Sequence, residues 1–104
     1  MDWNNKKNKR LIEMVLSLKT ADEARRFLRD LLTETEIKEF ANRIKVAEML
    51  SKGVMYSAIE GETGLSSRTI ARVSKFLKGK EMGYKTIIAR MHHDNLIKVK
   101  RGLS

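Results

Sequence analysis

The chain has 104 residues and a mass of 12.0 kDa, which is material for one core, predicts a single domain over 1–104 and argues against a two-domain enzyme. Its 22 Lys and Arg against 13 Asp and Glu leave a formal charge of +9, which favours an anionic partner, nucleic acid first. With no Cys, disulfide frameworks, thiol nucleophiles and Cys-ligated zinc are all excluded, and 41% hydrophobic content sets the chain apart from a disordered tail.

The opening residues, Met1 to Arg10, form a basic leader with Lys6, Lys7, Lys9 and Arg10 and hold no apolar run of the kind a secretory signal needs. No stretch approaches the ~18 apolar residues of a membrane span. A cytoplasmic protein without membrane contact is expected. The charge run reads first as a solvated face and second as a flexible arm on a nucleic-acid backbone.

Leu11, Ile12, Val15 and Leu16 recur at helical spacing and predict a first helix. Thr20 with Glu23 has the spacing of a capping box, so a second helix should start near Ala21 and carry the stripe Ala24, Phe27, Leu28, Leu31 and Leu32. Thr33 with Glu36 repeats that signal, opening the longest helix, which Gly53 can end in the left-handed conformation. On this third helix Ile37, Phe40, Ala41, Ile44 and Ala47 form one stripe, and Val46, Met49 and Leu50 extend it sideways. So wide an apolar surface calls for partners on more than one side, as in the middle of a bundle or across a dimer seam.

From Tyr56 to Glu60 there is room for about two helical turns before Gly61-Glu62-Thr63-Gly64 interrupts. Ser66 or Ser67 can cap the next helix, whose Ile70, Val73 and Leu77 should face inward and which Gly79 can terminate. Tyr84, Ile87, Ile88 and Met91 form a last stripe, and from Asn95 the periodicity fades, which predicts a frayed tail over 95–104.

The span Tyr56–Lys78 therefore fits a helix-turn-helix. Its second helix presents Ser66, Ser67, Arg68, Thr69, Ala71, Arg72, Lys75 and Lys78, and no acid occurs between Glu62 and Glu81. Arg68, Arg72 and Lys75, at i, i+4 and i+7, share a side. Guanidinium groups suit guanine edges and short hydroxyls suit phosphates, so double-stranded DNA is the partner this face predicts.

Leu32-Thr33, the run Arg43-Ile44-Lys45-Val46-Ala47-Glu48-Met49-Leu50 ending at Gly53, and Thr63-Gly64-Leu65-Ser66-Ser67-Arg68-Thr69-Ile70-Ala71-Arg72-Val73 together resemble the Trp repressor family. The resemblance covers about residues 20–90, and Gly83-Tyr84-Lys85 is similar to the YerC/YecD branch rather than to the tryptophan-responsive repressor. It implies an all-α, Trp-repressor-like helical bundle, an interlocked homodimer whose two recognition helices enter successive major grooves of a palindromic operator. In responsive members two arginines sandwich the indole beside a threonine; the matching positions here are Arg43, Arg72 and Thr33. The family's glycine and serine bordering that pocket are replaced by Val73 and Phe76, so the resemblance implies a self-filled, vestigial effector pocket, no tryptophan response and no cofactor.

His92-His93-Asp94 lacks a third ligand at regular spacing, so no metal site is expected, and Met49, Met55 and Met82 read as core filler. An enzyme is not predicted, since the chain has no glycine-rich phosphate loop and no acid pair at catalytic spacing. The competing reading is a small basic interaction module, adaptor or antitoxin-like, that binds an acidic protein. RNA is disfavoured by the shortage of exposed stacking aromatics.

Overall fold

The computed structural model describes residues 1–100, with side chains described as far as Asn95, and consists there of six helices and no strand. The chain divides into two units, Met1–Ile37 and the remainder from Lys38.

In the first unit, α1 (Lys6–Leu16) begins earlier than its apolar stripe, because the Asn5 side chain accepts from the Lys7 N–H at 2.9 Å and caps the helix ahead of the leader's cations. Lys6 to Arg10 are thus helical rather than a flexible arm. α2 (Ala21–Leu31) starts as its capping box predicts, with Thr20 Oγ1 accepting from the Glu23 N–H at 3.1 Å. The Glu23 carboxylate returns to the Lys19 N–H, one residue before the expected Thr20. Neither helix contains a buried residue, and Leu16 is 78% exposed.

α3 (Glu34–Ser51) opens on a fully reciprocal box: Thr33 Oγ1 accepts from the Glu36 N–H at 3.1 Å, and a Glu36 carboxylate oxygen accepts from the Thr33 N–H at 3.0 Å. These bonds, the one from the Thr33 backbone foremost, hold the Glu36 carboxyl below its ordinary pKa of 4.5. Gly53 takes a left-handed φ of +78° after the helix, as predicted.

The core lies in the second unit. Val46 and Ala47 of α3, Ile59 of α4 (Tyr56–Thr63) and Ile70 and Val73 of α5 (Ser67–Leu77) form one buried cluster, with Met49, Leu50, Val54, Leu65, Tyr84 and Ile88 packed around it. Burying a side chain such as Ile59 or Ile70 stabilises the fold by roughly 1.5 to 3 kcal/mol, so these few residues carry much of the attachment of α4 and α5 to α3. The apolar stripe of α3 divides. Its C-terminal half is covered, whereas Phe40 and Ile44 lie open, Ile44 at 52%.

One local expectation needs correction. Gly61 does not break α4, which runs through it to Thr63; the stop is Gly64 at φ +71°, where the left-handed turn excludes most other residues. The last helix, α6 (Gly83–Lys100), continues past Asn95, where the apolar stripe fades. The rest of the expected tail, 101–104, lies outside the described residues. Between α5 and α6 it is Met82, and not the neighbouring Gly83, that adopts positive φ, +62°.

Candidate nucleic-acid interface

The left-handed turn at Gly64 sets α5 against α4. Gly64 N–H donates to the Glu60 carbonyl at 2.9 Å, and Thr63 links the two sides of the turn, its hydroxyl donating to the Ile59 carbonyl at 2.7 Å and accepting from the Leu65 N–H at 3.2 Å. Of the two candidate caps for α5, the structure selects Ser66, whose Oγ accepts from the Thr69 N–H at 3.3 Å and lies 3.2 Å from the Thr69 hydroxyl. Ser66 and Thr69 thereby have local duties.

Ile70, Val73 and Leu77 are buried as the spacing predicts, and Ser74 completes the i, i+3, i+4, i+7 stripe that apolar pattern alone left open. Fixing that inner face turns the remainder outward. Ser67, Arg68, Ala71, Arg72, Lys75 and Lys78 are all exposed, and Thr69 is half-buried. Among the described residues none of Arg68, Arg72, Lys75, Lys78 or Lys80 pairs with a carboxylate; the ion pairs lie at Arg10–Glu13, Arg25–Asp22, Arg26–Asp22, Arg29–Glu34 and Lys45–Glu62. The second helix of the motif therefore presents uncompensated cations from a rigid scaffold.

Beside this face lies a cleft of about 130 Å³ lined by Arg43, Thr69, Arg72, Val73, Phe76 and Tyr84. Four of the five expected pocket residues meet there. Thr33 instead serves as the cap of α3. Phe76 is 55% exposed and forms one wall of the cleft, because it lies beside the buried stripe of α5 and not on it. Arg43 is stacked over the Phe40 ring, 5.5 Å from its centroid. Tyr84 was read from sequence only as part of a stripe; its place in the cleft follows from the turn that returns α6 to α5, which no local pattern signals.

Six helices, a glycine turn between α4 and α5 and an outward cationic face on α5 define an all-α helix-turn-helix protein. Residues 6–92 match the family described as Trp repressor protein. The chain belongs to the Trp repressor family, on its YerC-type branch. It is 42% identical over 81 residues, 78% of each chain, to the uncharacterized protein YerC of Bacillus subtilis (strain 168). Among solved structures it is similar to a TrpR-like protein from Eubacterium eligens ATCC 27750, with a TM-score of 0.81 and 35% identity over 86% of this chain and 93% of that one. A proposed Trp repressor from Staphylococcus aureus gives a TM-score of 0.81 and 33% identity over 88% of this chain and 95% of that one. No helix among the described residues is long and apolar enough to cross a membrane.

Proposed function

We propose that this chain is a sequence-specific double-stranded DNA-binding transcriptional regulator, a repressor, that acts as a homodimer through the α4–α5 helix-turn-helix. The observation that carries the reading is the outer face of α5, where exposed Arg68, Arg72, Lys75 and Lys78 stand without acidic partners among the described residues. Arg68 near the start of the helix reads a base edge, Ser67 meets phosphate and Lys75 serves as a backbone contact. Membership of the Trp repressor family, a family of regulators, supports the same reading over an enzyme. The apolar surface of α1, α2 and the first half of α3 supports pairing with a second copy.

Selection of bound sites from random duplex DNA, with affinity measured across a salt series, tests this. A two-fold symmetric motif with half-sites about 34 Å apart, and an affinity that falls steeply with salt, are expected. An asymmetric motif would overturn the paired geometry, and a salt-insensitive or absent affinity would favour the acidic-protein partner.

Tryptophan is not the effector in this reading. Val73 and Phe76 stand beside Arg43 and Arg72 in the cleft where the responsive family keeps glycine and serine, and Arg43 is already stacked on Phe40. Calorimetry with millimolar L-tryptophan should give no saturable heat and leave DNA affinity unchanged; a tenfold gain, about 1.4 kcal/mol, would defeat the argument.

A further inference from the structure

We infer that Lys45 is a positioning residue for the DNA-binding surface, acting through Glu62. Its ammonium lies 3.1 Å from the Glu62 carboxylate and joins α3 to the last turn of α4. The inference rests on the DNA-binding reading above and names two residues outside the recognition helix that condition it.

Glu62 is the last acid before Glu81 and sits inside the motif, directly ahead of the turn at Gly64. The C-terminal end of a helix carries partial negative charge, which destabilises an anion on its last turn. Lys45 offsets this. Its backbone is held firmly, because the next two residues, Val46 and Ala47, are fully buried in the core, so the side chain reaches out from a fixed point. The pair thus ties the end of α4 to the scaffold helix, directly ahead of the turn that leads into α5.

Both side chains are about half exposed, so truncating either leaves the buried cluster intact. The test is a double-mutant cycle on random duplex DNA, with the wild-type chain, Lys45→Met, Glu62→Gln and the double variant measured at low and moderate salt. Lys45→Met should weaken binding roughly twofold to fivefold in the wild-type background, the range expected of an exposed pair. In the Glu62→Gln background, where that tie is already broken, the same change should cost clearly less. Equal losses in both backgrounds would mean that Lys45 touches phosphate itself and would overturn the inference. So would an unchanged affinity in both. Melting curves on the four proteins check the fold itself: coupling in Tm with none in DNA affinity makes the pair merely structural and likewise sinks the proposal. Wild-type chain that fails to bind any duplex brings down the DNA-binding reading as well, whereas wild-type binding with an additive cycle removes this inference alone.

Discussion

Arg68 and Lys75 lie two turns apart on one exposed face, and the proposed function gives them different work. Arg68→Ala should relax base preference at one position per half-site by about 1 to 3 kcal/mol, the value of a bidentate guanine contact. Lys75→Ala should weaken all sequences alike and reduce the salt slope by about one. Site selection on both variants checks the assignment, and the reversed pattern would mean that α5 is oriented otherwise. Met82 permits a test away from DNA. Its φ of +62° costs a side-chain-bearing residue about 1 kcal/mol or more, and a β-branched side chain fares worse. Met82→Gly should hold or raise the melting temperature and Met82→Val should lower it; equal effects would remove the strain. The sequence offered no sign of this, since Gly83 next door is the residue such a conformation ordinarily selects.

Helix starts were legible from short polar spacings, and helix ends from glycine only where the backbone turns left-handed. Thr20 with Glu23 and Thr33 with Glu36 form the bonds that their spacing predicts. Gly61 misled because a glycine inside a helix costs only about 1 kcal/mol, which tertiary packing of Ile59 outweighs. The start of α1 was hidden for another reason: Asn5 caps a turn of cations, and apolar periodicity begins only at Leu11. The Lys45–Glu62 pair has no local signature at all, since its partners meet only when α4 folds back on α3. The capping box of α3 also predicts a pH response. Because the Glu36 carboxyl has a folded pKa below its ordinary 4.5, its contribution is complete above that value and disappears as pH falls through the depressed one. Glu36→Gln, which keeps an acceptor for the Thr33 N–H, should flatten the melting temperature against pH below about 4.5 relative to wild type. A wild-type slope retained in the variant would assign the acid sensitivity elsewhere.

At the scale of the molecule, the wide apolar surface of α3 was read from sequence as calling for more than one partner, and in one chain it does remain partly open at Phe40 and Ile44. Periodicity reveals that a face is apolar and leaves its cover unnamed: Val46, Ala47, Ile70 and Val73 stand on apolar surface in the sequence, whereas Ile59 as the residue that joins them became identifiable only in three dimensions. Pairing of two copies predicts a melting temperature that rises with protein concentration, by mass action. Calorimetric scans over a hundredfold range of concentration, with sedimentation at micromolar protein, check this; a concentration-independent transition of a 12.0 kDa species would refute it.

Residues Met1–Ile37 contain no fully buried side chain, and Leu16, Leu28 and Leu31 stand exposed there, so α1 and α2 leave apolar surface that a further surface could cover. If that surface is a second copy, occupancy of paired half-sites depends on two molecules having met. While most chains are still single, the concentration of DNA-competent dimer grows as the square of chain abundance, and halving the supply of chains lowers the occupancy of an unsaturated site about fourfold. In that case the exposed apolar sides of α1 and α2 make site occupancy steeply dependent on gene dosage.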